Sequence, residues 1–305
     1  MTDRRPDAKS ERRLDDLRRE AGLTGTVNAK GIRPAGSPLP VASPETGYYG
    51  LPLLKPPVWT WEVPTYFFVG GAAGAAAVLA ATAQLARVDP KLVRDARWIA
   101  AIGANLSAPL LIADLGRPQR FLNMMRVFKP QSPMSVGAWT LAAFGGASTA
   151  TVIFKSQTLG IFSALTGAVM CTYTGVLLGA TAIPVWSEHA NVLPMHFGAS
   201  AVGSAVALLE LRGHMQPALN ILGTTAATFE TLTGVATESR HKPTDTLIRL
   251  GGVLSGPVPL ALRALGRTKR ARRIAAVSSL VGSLITRFAW VRAGKKSAEV
   301  YSNHG

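Results

Sequence analysis

The chain has 305 residues, 48% of them hydrophobic, with 30 glycines, a formal net charge of +16 and a positive mean hydropathy. Such a charge suits nucleic-acid binding in a soluble protein, but here the basic residues sit at the ends of apolar runs and in loops, and no nucleic-acid motif accompanies them. A single cysteine, Cys171, excludes a disulfide framework within the chain and any cysteine-ligated Fe–S cluster, so electrons passing through the protein must come from another subunit.

Residues 1–20 are dense in both signs, seven Lys/Arg against six Asp/Glu, and no apolar run follows the arginines to make a signal peptide. Residues 21–58 are rich in Gly, Pro, Ser and Thr, so the whole of 1–58 reads as an extended or partly disordered tail. A disordered leader and a docking arm remain alternatives for it.

From residue 59 to 295 the pattern predicts an all-α, polytopic membrane helical bundle of about eight transmembrane helices, with a short C-terminal tail over 296–305. Tyr66–Ala86, Met134–Phe154 and Leu159–Trp186 carry no charge over 21, 21 and 28 residues, and about 20 apolar residues suffice to cross the hydrocarbon core. A soluble helix would show charges on its outer face. Trp59, Trp61 and Tyr66 mark an interface around Glu62, and Pro64 suits a first helical turn. Gly70, Gly71 and Gly74 let a neighbouring helix approach closely. A basic loop with Arg87, Lys91, Arg94 and Arg97 leads to a second span, the apolar run Trp98 to Ala113, which stops at Asp114.

The junction that follows, residues 114–139, is unusual: Arg117, Arg120, Arg126 and Lys129 are packed among prolines and aromatics before the third span begins at Met134. The fourth span places Tyr173 at membrane depth, where a phenol needs a partner, either a backbone carbonyl or a ligand oxygen. Val192–Leu209 makes the fifth span with His196 near its start and Glu210 at its end, and roughly 216–237 the sixth, with Glu230. Ionisable groups in spans are costly and mark sites by default, although Glu210 and Glu230 are near enough to helix ends to reach headgroups. Residues 247–265 form the seventh segment, interrupted by Gly251, Gly252, Gly256, Pro257 and Pro259 and therefore kinked or re-entrant. A basic loop precedes the last span, Ile274–Val291, which holds Arg287. The loops between spans 1–2, 3–4, 5–6 and 7–8 carry 12 Lys/Arg and the tail before Trp59 carries 10, so charge gives two opposing orientations.

Of five histidines only His196 lies well inside a span, which argues against a bundle-bound haem, and no His/Cys/Asp set has the spacing of a zinc site. What remains is a set of aromatics, carboxylates and arginines at helix ends: Trp59, Trp61, Glu62, Tyr66, Asp114, Arg117, Arg120, Tyr173 and His196. Rings that stack, hydroxyls that donate and carboxylates that exchange protons suit a quinone headgroup; the same residue types would serve a transported anion.

The stretches Trp61-Glu-Val-Pro-Thr-Tyr-Phe-Phe-Val-Gly-Gly71, Asp114-Leu-Gly-Arg-Pro-x-Arg-Phe121 and Arg126-Val-Phe-Lys-Pro-x-Ser-Pro-Met-Ser-Val-Gly-Ala-Trp139 resemble the membrane subunit of the polysulfide reductase (NrfD/PsrC-like) family. Tyr173-Thr-Gly-Val-Leu-Leu178, Ile183-Pro-Val-Trp186 and Ile285-Thr-Arg-Phe-Ala-Trp290 extend the likeness over about 59–295. The resemblance implies an eight-helix anchor in a prokaryotic inner (cytoplasmic) membrane, in contact with membrane lipid. Such an anchor exchanges electrons between a quinone, menaquinone or ubiquinone, and a ferredoxin-like Fe–S subunit attached to a molybdopterin catalytic subunit. The reading carries no redox centre, haem or metal in this chain, no nucleic-acid partner, and no activity of the chain alone. The family's quinone-holding positions fall on Glu62 and Thr65, where polysulfide reductase has an amide and an imidazole, and on Tyr173; Asp114 matches a carboxylate implicated in proton passage. The reading is thus a quinone-reactive site of Trp61, Glu62, Thr65, Tyr66, Tyr173 and His196, with Asp114, Glu62, Arg117 and Arg120 handling protons. An ion or proton transporter is the alternative.

Overall fold

Prolines set where five of the described helices begin. Pro90, Pro133, Pro184, Pro217 and Pro257 are each the first residue of a helix, the place where a missing N–H costs nothing and a fixed φ is already helical. The computed structural model describes residues 27–28, 31–32, 54, 56–114, 119–240, 246–266 and 268–303, with backbone alone at 27–28, 31–32, 119–120, 238–240 and 300–303. The expected tail over 1–58 lies almost wholly outside the described residues. Within it Val27–Asn28 pairs antiparallel with Gly31–Ile32.

The remainder, 54–300, forms a unit of helices: α1 (Glu62–Leu85), α2 (Pro90–Asp114), α3 (Gln119–Met124), α4 (Pro133–Phe154), α5 (Gln157–Gly179), α6 (Pro184–Ser187), α7 (Leu193–Leu211), α8 (Pro217–Arg240), α9 (Thr246–Ser255), α10 (Pro257–Leu265) and α11 (Lys269–Asn303). Among the described residues five helices, α1, α2, α4, α5 and α11, are long and apolar enough to cross a membrane. The protein is an all-α, multi-pass membrane bundle. The long helices α7, of 19 residues, and α8, of 24, are not among these five.

Helix boundaries differ from the expected ones in three places. The second helix starts at Pro90 rather than near Trp98, so Lys91, Arg94 and Arg97 lie on it and not in a loop. Asp89 makes that start: its carboxylate accepts from the Lys91 N–H at 2.9 Å and its carbonyl from the Leu92 N–H at 3.0 Å. Arg97 then turns inward to Gln84 and the Ser156 carbonyl, which removes its charge from lipid. The fourth helix ends at Gly179, not Trp186, and Trp186 sits in the one-turn helix α6 started by Pro184. The last helix runs well beyond Ile274–Val291 at both ends. The seventh segment is broken at Gly256, as its glycines and prolines predict.

α1 is the most enclosed helix and packs against α2, α5 and α7. Its Gly74 meets Gly167 of α5 backbone to backbone: a Cβ on Gly167 would come 2.8 Å from the Gly74 carbonyl oxygen. Close approach of this kind replaces the missing hydrophobic drive between helices in lipid. Between α4 and α5, Lys155 takes a left-handed conformation (φ 51°) and Ser156 accepts from the Leu159 N–H at 3.4 Å, closing a tight turn.

The helices alternate in direction. One end gathers Trp59, Trp61, Trp186 and Trp290 with the starts of α1, α4, α7 and α9, and is called here the tryptophan end. The other gathers Arg97, Arg212, Arg263 and Arg272 and is called the arginine end.

Candidate functional site

At the tryptophan end the chain enters the bundle through aromatic stacking. Trp59 lies parallel to Trp186 at 5.4 Å and edge-on to Phe67 at 6.1 Å. Trp186 is fully buried and donates from Nε1 to the Trp290 carbonyl at 2.8 Å, while Lys295 caps the Trp59 carbonyl. The indole occupies space that any side chain at Gly294 would fill. This anchor fixes the next residue, Thr60.

Thr60 joins two of the expected site residues. Its hydroxyl bonds to Glu62 Oε2 and lies 3.4 Å from Asp114 Oδ1, and its N–H donates to the same Asp114 oxygen at 3.2 Å. Glu62 in the first turn of α1 and Asp114 at the last residue of α2, both half-buried, therefore converge although 52 positions separate them. Thr65 spends its hydroxyl on the Trp61 carbonyl at 2.7 Å, and Trp61 itself is exposed. Arg117 lies outside the described residues, and of Arg120 only the backbone is described.

One turn below Glu62, Tyr66 is buried on α1, and Tyr173 of α5 lies within electrostatic reach of it. Residues four apart share a helix face, so Glu62 stands above the Tyr66 phenol. The Tyr173 ring lies against the bare backbone of Gly137 in α4, where a Cβ would overlap its hydroxyl end. Among the described residues neither phenol hydroxyl makes a hydrogen bond within the protein. Both donors are thus open to a ligand oxygen. At the start of α4, residues 123–135 enclose an open crevice of about 430 Å³ walled by Asn123, Arg126, Lys129 and Ser132. Ser135 holds that loop by accepting from the Lys129 N–H at 3.0 Å, and Phe128 packs edge-on against Trp139 at 6.3 Å.

His196 belongs elsewhere. Its Nδ1 is 2.8 Å from Thr233 Oγ1 on α8, whereas Tyr173 faces α4, so the structure does not bring the two together. Near His196 lies Arg287, which the sequence shows as a charge in an apolar span but which was not among the expected site residues. Glu210 is also explained: it is fully buried and chelated by Arg263 (2.9 and 2.6 Å) and Arg272 (2.9 and 2.6 Å) at the arginine end, a structural clamp. Asp95 is similarly held by His214 at 3.0 Å and Arg212 at 3.5 Å. Among the described residues there is no group of three His, Cys, Asp or Glu able to hold a metal.

The tryptophan end thus offers two carboxylates tied by one threonine, two free phenol donors and a cationic crevice. No curated protein shows significant similarity to the chain. Residues 45–302 match the model of the polysulfide reductase family, nearly the whole of the described bundle, and the chain belongs to that family of oxidoreductase membrane subunits.

Proposed function

We propose that this chain is the quinone-exchanging anchor of a multi-subunit oxidoreductase in a prokaryotic inner membrane. In this reading it passes electrons between the quinone pool and a ferredoxin-like Fe–S subunit, itself bound to a molybdopterin catalytic subunit. The convergence of Glu62 and Asp114 on Thr60, directly above Tyr66 and Tyr173, is the observation that carries the reading. The unpartnered phenols fit a carbonyl-bearing ring, and a quinone held there would take up or release two electrons and two protons.

The residues divide the work. Tyr66 and Tyr173 donate to the ligand's oxygens and orient the ring. Glu62 and Asp114, half-buried at the end of the bundle, relay protons between that point and water through the Thr60 hydroxyl. Trp61 covers the entrance. Arg117 and Arg120, three and six positions after Asp114 in the sequence, add positive charge to the stretch that follows it. His196 takes no part in this site.

The test is Tyr173→Phe and Asp114→Asn in the assembled complex. Quinol-linked turnover should fall at least tenfold while the complex keeps its subunits and its partner's activity with a soluble electron carrier. Undiminished turnover in both variants would remove the site. Extraction in mild detergent should recover a cysteine-rich Fe–S protein and a large molybdopterin subunit with this chain; recovery of the chain alone, with ion movement in liposomes, would favour a transporter. The break at Gly256 beside buried charges is the feature that supports that second reading.

A further inference from the structure

The half of the bundle made by α7 to α11 holds polar groups that the quinone site does not use. Arg287 on α11 is 1% exposed; its guanidinium lies 3.9 Å over the Phe197 ring and Nη2 donates to the Phe197 carbonyl at 3.0 Å. Its Nε and Nη1 have no partner among the described residues. Glu230 on α8 is buried among Ser200 and Gly203 of α7, Ser255 at the end of α9, and Arg287. Its Oε2 is unpartnered, as are the hydroxyls of Ser204 and Ser255. Ser200 is bonded to Ser283 at 2.6 Å.

His196 adds an acceptor. Thr233 gives its hydroxyl proton to the Phe229 carbonyl at 2.7 Å, so it accepts from His196 at 2.8 Å and the imidazole carries its proton on Nδ1. Nε2 is left as a bare lone pair. The break at Gly256 adds carbonyls: Pro257 and Pro259 have no N–H, so Val253 and Ser255 lose their helical donors.

Beside Glu230 lies a cavity of about 100 Å³ between α7, α8, α9, α10 and α11, with His196 and Glu230 among its walls and Thr237 and Arg249 toward the tryptophan end. An unpartnered buried polar group costs about 1–3 kcal/mol, more when charged. Glu230 is both unpartnered at Oε2 and part of the wall of this cavity, and a cavity with such a polar wall does not stay dry. Only apolar cavities stay empty, and at about 30 Å³ per molecule this one takes about three waters. Interrupted helix at membrane depth is likewise tolerated where it lines water. On the opposite side the clamp of Glu210 with Arg263 and Arg272 closes the arginine end.

We propose that His196 and Glu230 line a water-filled proton-exchange site, entered from the tryptophan end, in which Glu230 takes and releases the proton and Arg287 lies behind it. Arginine does not give up its proton in proteins, so Arg287 is the fixed counter-charge. A hydronium in the cavity protonates the Glu230 carboxylate and leaves water behind, and His196 Nε2 accepts from that water. The site is separate from the phenols of Tyr66 and Tyr173.

Gly234 and Gly252 both line the cavity, and a Cβ at either meets nothing within 4 Å. Gly234→Cys and Gly252→Cys in sealed native-membrane vesicles of each orientation should react with a membrane-impermeant thiol reagent from one side only, with the buried Cys171 unmodified. Reaction only after denaturation, or only with a lipid-soluble maleimide, would overturn the water-filled site. In the same membranes dicyclohexylcarbodiimide, which captures protonated carboxyls, should label Glu230 and not the doubly chelated Glu210, and Glu230→Gln should abolish the adduct. No adduct on Glu230 in vesicles whose Gly252→Cys variant reacts would overturn its role as the proton carrier. Turnover of Tyr173→Phe reports on the quinone site alone, so the two proposals fail separately.

Discussion

Glu210 is the sharpest test of how charge is handled in this bundle. Glu210→Ala leaves Arg263, whose side chain is 1% exposed, and Arg272, at 12%, without the carboxylate that takes four bonds of 2.6–2.9 Å from them. Arg263 would keep only Asn220 Oδ1 at 3.2 Å, and Arg272 the carbonyls of Met215 and Gln216. Removing one partner of a buried pair costs about 3–5 kcal/mol, because the charge left behind is uncompensated. Replacing the whole set by apolar residues, Glu210→Leu with Arg263→Met and Arg272→Met, should recover most of that loss, since the desolvation of all three ions is then avoided. Chemical or thermal unfolding of the detergent-solubilised complex, followed by helix content, gives both values. Quinol-linked turnover per folded complex should stay unchanged. A Glu210→Ala protein within about 0.5 kcal/mol of the parent would refute the clamp, since that is the range of neutral surface substitutions.

Gly294→Ala should force Trp186 out of its stack with Trp59 and off the Trp290 carbonyl, costing about 1–3 kcal/mol as overpacking does; near-ultraviolet dichroism would show it, and an unaltered spectrum with unaltered stability would count against the anchor. Gly137→Ala should displace the Tyr173 phenol and lower quinol-linked turnover with the fold retained. Combined with Tyr173→Phe it should add nothing to the single Tyr173→Phe effect, and additive losses would separate Gly137 from the phenol's role.

Local pattern carried the class of the fold. Long uncharged runs can satisfy their backbone in lipid only as helices, so α1, α4, α5 and α11 were legible, as were the end of α2 at Asp114 and the break within 247–265. Proline at a helix start is a local signal too, and closer weight on Pro90 and Pro184 would have placed the start of α2 and the end of α5. The family and the tryptophan end, with Glu62, Asp114, Tyr66 and Tyr173, were also readable from short motifs.

Which side chains meet was settled by the tertiary structure alone. Glu210 and Glu230 look alike in the sequence, each a carboxylate in a weakly polar span. One finds two arginines 53 and 62 positions away and becomes a clamp; the other keeps one oxygen without a partner, near Arg287 and at a cavity. Thr60 joins Glu62 to a residue 54 positions from itself, and His196 faces α8 rather than the phenols. A helix that is apolar all round has no polar stripe to say which side faces inward, so its rotation, and with it the company of each buried charge, is decided only when backbones such as Gly74 and Gly167 lock together.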